Sequence, residues 1–294
     1  DWLGLPESAF FTDARAIAAF QRYITARLNH VNPYTGRAAK DEPAIMAWET
    51  GNELQPPAAW TAMIASYIKS IDGSHLVLDG RYGVDPAVLA SAPDVDCVSD
   101  HFYPVDAARL LAGSSAAASA NKVYIAGEYG WTSGDVAGFL ATAATSHNVS
   151  VDCFWSLFPH LDTYGFVQHG DGFTVHYPGD NAGMASFVQL AQAHLHNMSG
   201  LPAPLPPPLA PLITVATAST RQVAWRGAAG ACEYSVEASA ASPDGPFAVI
   251  CDKCGNDNDT PITIAGALAA GTYLRARGWN ANGVAGPYSA VAQV

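Results

Sequence analysis

Charge is scarce in this chain. Only 14% of its 294 residues are charged, while 49% are hydrophobic. That balance excludes a disordered chain, which would combine low hydrophobicity with high net charge. No apolar run approaches about 18 residues, so no segment is expected to span a membrane. Runs of Lys and Arg are absent and the net charge is −12, so nucleic acid is not an expected partner. Ser-His-Asp patterns, Walker loops and Gly-rich dinucleotide turns are missing too. Cys251-Asp-Lys-Cys254 looks like half a zinc site, but no second half exists. His194 and His196, two apart on a helix, point to different sides. Neither a metal nor a cofactor is expected.

The chain opens at Asp1 without an initiator Met, a charged n-region or an apolar h-region. This predicts a processed product, or a piece of something longer.

What is present divides in three. Residues 201–211 are rich in proline and read as an extended tether. Residues 1–200 alternate helix-like and strand-like patterns, and 212–294 look only like strands. The acidity belongs to the first part. It carries nine Lys and Arg against twenty Asp and Glu, and the remainder five against six.

In the first part, Ile17, Phe20, Ile24, Leu28 and Val31 recur at helical spacing. The run Ala44–Trp48 is short and uncharged, as a strand buried on both faces should be. Trp48 is therefore expected in the core. Helices are then predicted over 60–71, from about 85, and over 106–120, 134–146 and 182–198. Strands are predicted over 75–79, 95–100, 122–127 and 150–158. Such alternation implies βαβ units and a parallel sheet. Polar residues gather just past the strands: Asn52 and Glu53, His101 and Tyr103, Glu128, His160. That placement is typical of a (β/α)₈ TIM-barrel. In the tail, alternating segments separated by turn residues predict a small all-β sandwich.

Glu53 and Glu128 carry the chemistry. A carboxylate at the mouth of a parallel strand is costly to desolvate and is not needed for folding, so its presence indicates a task. Two carboxylates facing one cleft suit glycoside hydrolysis. One protonates the leaving oxygen, and the other attacks the anomeric carbon or activates water.

Asp41-Glu-Pro-Ala-Ile-Met-Ala-Trp-Glu-Thr-Gly-Asn-Glu53 resembles the acid/base strand of glycoside hydrolase family 5, closest to the endo-β-1,4-mannanase branch. Asp100-His-Phe-Tyr-Pro104 is similar to its His-x-Tyr strand, Gly127-Glu-Tyr-Gly130 to its nucleophile strand and Phe154-Trp-Ser156 to its last strand. The resemblance implies that Glu53 is the general acid/base and Glu128 the nucleophile of a retaining enzyme. It further implies that Asn52 binds the sugar 2-hydroxyl, Tyr103 donates to Glu128, His101 positions the acid/base side, and Trp155 forms a platform under the sugar. Trp131 and His160 are candidates to line the cleft, and the aromatic loop 158–180 to form a subsite wall. The expected substrate is β-mannan or a related β-1,4-glycan. The tail resembles a fibronectin-III-like module in pattern only, through its strands and Trp225, Tyr234 and Tyr273.

Two departures stand out. Leu54 follows the acid/base Glu where the family often has Pro. The family also places an Arg and a His on strands before the Asn-Glu strand, and no segment here supplies them. The five visible strands match the family's fourth to eighth. A larger enzyme, or a partner chain that completes the barrel, is therefore expected. The rival reading is a non-catalytic extracellular structural or carbohydrate-binding glycoprotein on the same scaffold.

One disulfide is expected among Cys232, Cys251 and Cys254, most simply from Cys232 to one of the other two. Cys97 and Cys153 are expected to be buried thiols. Sequons occur at Asn148, Asn197 and Asn258. Asn258 is the best candidate for glycosylation, and Asn148, bordering a strand, is expected to be too buried. Sequons with clustered Cys favour a secreted protein.

Overall fold

The computed structural model describes residues 3–158, 160–161, 165–177, 179–199, 207–228, 230–231, 233–255, 261–280 and 282–294. The chain forms two compact units, Asp1–Trp155 and Ser156–Val294. The Pro-rich segment 201–211 is described only from residue 207 onward.

The first unit begins with α1 (Ala14–Leu28), which buries Ala16, Ile24 and Leu28. Strands and helices then alternate: β1 (Ala47–Glu49), α2 (Ala58–Ile71), β2 (Leu76–Asp79), α3 (Pro86–Ser91), β3 (Cys97–Phe102), α4 (Ala107–Ser119), β4 (Val123–Tyr129), α5 (Val136–Thr145) and β5 (Val149–Phe154). Four of the five helices start on an aspartate. Asp13, Asp85, Asp106 and Asp135 each accept a backbone N–H from the first turn, and such a cap contributes about 1 kcal/mol.

The five strands form one sheet in sequence order, β1-β2-β3-β4-β5, and every pair is parallel. Helix residues cover one face. Phe139 of α5 packs edge-on against Phe102, with ring centroids 4.9 Å apart, and lies 5.2 Å from Tyr129. Trp60 of α2 stacks on Phe20 of α1 at 5.8 Å. The central strand β3 is buried along its whole length. At the sheet edges the other face is open, where Glu49 of β1 and Cys153 of β5 are exposed. Cys153 thus departs from the expected burial, because its side chain lies on the face that no element of the first unit covers. Cys97 is fully buried. Trp48 is only half-buried, and its indole N–H donates to Asp72 Oδ2 at 2.7 Å.

The second unit contains the short antiparallel pair β6 (His160–Leu161) and β7 (Gly165–Phe166), then α6 (Ala182–Ser199). Eight strands follow: β8 (Leu212–Thr217), β9 (Gln222–Arg226), β10 (Glu233–Ser239), β11 (Ala248–Gly255), β12 (Ile262–Thr263), β13 (Tyr273–Trp279), β14 (Ala285–Tyr288) and β15 (Ala292–Gln293). They build two antiparallel sheets, β11-β10-β13-β14 with β15 on β13, and β12-β9-β8. Val223, Val236, Ile264, Leu268, Leu274 and Ala276 form their shared core.

Outward-facing residues of β13 and its neighbours interleave cations with rings. Arg275 lies 4.2 Å from the Phe247 ring and 3.8 Å from Tyr288, and Arg277 lies 4.5 Å from Trp279. Beneath them Glu237 accepts from Arg275 and from Tyr288 Oη, each at 2.6 Å. Burial alone would raise the Glu237 carboxyl, but the hydrogen bonds from Tyr288 and Arg275 outweigh it and hold the group below the usual carboxylate range.

The disulfide corrects the sequence expectation. Cys251 pairs with Cys254, with Cα atoms 5.7 Å apart, and not with Cys232, which lies outside the described residues. The cause is a bulge in β11. Cys251 pairs with Val236 and Gly255 with Tyr234, so residues 252–254 oppose Ser235 alone. That detour brings the two sulfurs together. Asn148 is a further correction. It is exposed in the turn before β5, because it precedes the first ladder pair of that strand. Asn197 is exposed on α6, and Asn258 lies outside the described residues. No helix among the described residues is long and apolar enough to cross a membrane.

Candidate active site

The C-terminal ends of β1, β3 and β4 bring four polar side chains together. Glu53 follows β1 in a loop laced to the end of β2. Thr50 N–H donates to Leu78 O at 3.1 Å, and Leu54 N–H to Gly80 O at 2.9 Å. Gly80 N–H returns a bond to Thr50 Oγ1 at 3.0 Å. Gly80 permits this closeness, since a Cβ there would run into the backbone of Gly51. Arg81 adds a bond to the carbonyl of Pro56. Glu53 itself has φ 52°, a left-handed conformation that costs a non-glycine residue about 1–2 kcal/mol. The lacing holds it there.

His101 and Tyr103 come from the end of β3 and the turn after it. The imidazole is 2% exposed. Its Nδ1 lies 2.9 Å from Glu53 Oε1 and 3.6 Å from Glu128 Oε2. Gly127 makes room for it, because a Cβ there would sit 2.9 Å from His101 Nε2. The next residue, Glu128 of β4, accepts a hydrogen bond from Tyr103 Oη at 2.8 Å. Donor atoms of Glu53, His101 and Glu128 all lie within 4.8 Å of one another. Two carboxylates and an imidazole so spaced could also ligate a divalent cation.

Asn52 is exposed beside Glu53. Trp131 and Trp155 are half-buried just past β4 and β5, and Trp155 N–H donates to Tyr129 O at 3.0 Å. His160 has its backbone in β6, but its side chain lies outside the described residues, as do residues 159, 162–164 and 178 of the aromatic loop.

Sequence reasoning missed the groups behind His101. Tyr82, just past β2, accepts the His101 N–H on its carbonyl at 3.1 Å and sets its ring edge-on to the imidazole at 6.1 Å. Arg109 of α4 donates to the His101 carbonyl. The available signal was that Arg109 is the only charged residue in a helix otherwise built from Ala, Leu, Gly and Ser.

Residues 5–100 match the family model described as GH family 5 beta-mannosidase-like. That stretch includes Glu53 and stops just short of His101. The chain is 39% identical over 109 residues to a protein named putative mannan endo-1,4-beta-mannosidase 5 from Oryza sativa subsp. japonica, covering 32% of this chain and 22% of the relative. It is 29% identical over 213 residues to a probable mannan endo-1,4-beta-mannosidase F from Emericella nidulans, covering 60% of this chain and 47% of the relative. The chain therefore spans less than half the length of these two curated relatives. Among solved structures, an endo-1,4-beta-mannanase from Rhizomucor miehei superposes with a TM-score of 0.53 at 26% identity, covering 64% of each chain. An endo-beta-1,4-mannanase from Thermotoga petrophila gives 0.57 at 19% identity, over all of this chain and 75% of that one. The five-stranded parallel sheet fits part of a TIM barrel, and the homologues are glycoside hydrolases of the mannanase kind.

Proposed function

We propose that this chain carries the catalytic carboxylates of a retaining, endo-acting glycoside hydrolase that cleaves β-1,4-linked mannan. The observation that carries the reading is the approach of Glu53 and Glu128, whose oxygens lie within 4.8 Å. Retaining enzymes hold their carboxyls roughly 5–5.5 Å apart, whereas inverting enzymes need about 6.5–9.5 Å to admit a water between them.

Glu53 protonates the glycosidic oxygen as Glu128 attacks the anomeric carbon, and the aglycone leaves. Bond formation discharges Glu128. Glu53, now a carboxylate, takes a proton from the incoming water, which releases the sugar with its configuration retained. Tyr103 donates to the Glu128 oxygen at 2.8 Å, which favours the ionised nucleophile and fixes its direction. His101 ties the two carboxylates into one unit. Asn52 is assigned to the sugar 2-hydroxyl, Trp155 to the floor under the reacting ring, and Trp131 to the cleft wall.

Further strands, on the same polypeptide or on another, are proposed to close the sheet and supply the Arg and His that this chain lacks. The exposed inner positions of β1 and β5 support this, since parallel sheets are otherwise covered on both faces. The β-strand module is assigned an accessory or spacer role. Secretion is supported by the Cys251–Cys254 disulfide and the exposed sequon Asn148.

The test uses folded protein, complete with the strands that close the sheet, on β-mannan, cellulose and xylan. A fall in mannan viscosity is expected, with β-configured products by NMR at early times. Unchanged viscosity on all three overturns the enzyme reading, and α-configured first products overturn the retaining mechanism. Glu128→Ala should abolish turnover with the fold intact.

A further inference from the structure

The ladder between β3 and β4 slips where the site needs it most. Asp100 pairs with Ala126, but His101 pairs with Glu128, so Gly127 has no opposite residue. A bulge re-aims the side chain beside it, and it also interrupts the hydrogen bonds that would otherwise fix the strand. The backbone of His101 is tied from elsewhere. Its N–H goes to the carbonyl of Tyr82 at 3.1 Å, and its carbonyl accepts from Arg109 Nη2.

Arg109 does more than fill a valence. Its Nε points at Asp100 Oδ1 at 3.3 Å. Its guanidinium carbon lies 4.6 Å from the Phe102 ring centroid and 5.3 Å from that of Tyr82. Asp100 is buried, and its other oxygen accepts from Tyr124 Oη at 2.8 Å. One planar fork thus grips residues 100, 101 and 102 together and packs on the tyrosine that edges the imidazole. An ion pair with a buried aspartate is a poor source of net stability, since apolar replacements of such pairs are often neutral or better. What it contributes is a fixed geometry.

We propose that Arg109 is a positioning residue that, with Tyr82, holds His101 across the irregularity between β3 and β4. His101 Nδ1 is thereby kept between Glu53 and Glu128. Only the catalytic consequence rests on the glycoside hydrolase reading; the mechanical claim stands on the geometry.

The test compares the whole chain with Arg109→Met and Arg109→Lys. Lysine keeps the charge but cannot serve both acceptors from one plane, and it keeps the test available should the methionine variant fail to fold. By NMR, exchange of the His101 amide should accelerate on the order of tenfold or more in either variant, reporting local opening. Exchange at the wild-type rate in a folded variant overturns the proposal. On β-mannan, kcat should fall on the order of 10- to 100-fold with KM within about twofold, as expected when a reacting group is misplaced but binding is kept. A lowered Tm with kcat unchanged would reduce Arg109 to a structural residue and overturn its positioning role. If the wild-type chain, supplied with the strands that complete its sheet, cleaves no mannan, the hydrolase reading fails, and the exchange measurement alone decides the role of Arg109.

Discussion

Tyr103 Oη lies 2.8 Å from Glu128 Oε2 and donates its proton there. Tyr103 directly follows β3 and Glu128 lies in the adjacent β4, so neither could be aimed without the pairing of these strands. Removing the hydroxyl leaves the ring in place and the nucleophile short of one donor. Tyr103→Phe is expected to lower kcat on β-mannan on the order of 10²-fold, by analogy with loss of a single preorganised donor, with little change in Tm. Steady-state kinetics beside a thermal melt check both halves. Wild-type kcat in the variant would remove Tyr103 from the machinery.

Glu53 sits at φ 52°, a conformation that glycine adopts without penalty. Glu53→Gly is expected to abolish turnover and yet gain about 1 kcal/mol of stability over Glu53→Ala. Urea titrations of the two inactive variants measure the difference directly. Equal stabilities would show that the backbone there relaxes.

Asp79, at the end of β2, is 2% exposed. Burial outweighs the pull of Arg81 and pushes its carboxyl up to about 7 from 3.8. The folded state thus binds this proton more tightly than the unfolded one. Stability from this group is complete below the unfolded value and falls as pH rises through the folded one. The loss between pH 4 and pH 8 is roughly 4 kcal/mol. Asp79→Asn should therefore be more stable than wild type at pH 8, with the gap closing near pH 4. A gap independent of pH would contradict the raised value.

Glu237 runs the opposite way. Its carboxyl is held down by Tyr288 and Arg275 against the effect of burial. Its stabilising contribution exists above the unfolded carboxylate range and disappears as pH falls through the lowered folded value. Arg275→Leu is expected to cost the module about 3 kcal/mol near neutrality, and less under acid conditions. Paired denaturant titrations at pH 7 and pH 3 check this, and a cost that grows with acidity would refute it.

Most of the first unit was legible in sequence because each element carries a local signal. The 3.6-residue period marks α2 and α4 to within two residues at either end, and apolar runs mark β2 and β4. The Asn-Glu, His-x-Tyr and Gly-Glu motifs stand at strand ends, where topology brings their side chains together. What escaped was decided by pairing between distant residues. The pairing of Cys251 with Cys254 depends on a bulge against Ser235 that no spacing rule reveals. Cys153 and Trp48 looked like core because composition cannot tell which face of a strand is covered. Arg109 went unnoticed because its partners are backbone and ring faces.

The aspartate caps change what the acidity of this chain means. Asp13, Asp85, Asp106 and Asp135 are committed to helix starts. Asp72 is held by Trp48, Asp96 by Lys69 and the Val77 N–H, Asp100 by Tyr124, and Asp152 by Tyr129. Eight carboxylates of the first unit are thus construction parts, fixed by the architecture and turned toward its joints. A low isoelectric point, read alone, would invite a search for a cationic ligand. Here it records instead how many helices this fold has to begin and how many loops it has to pin.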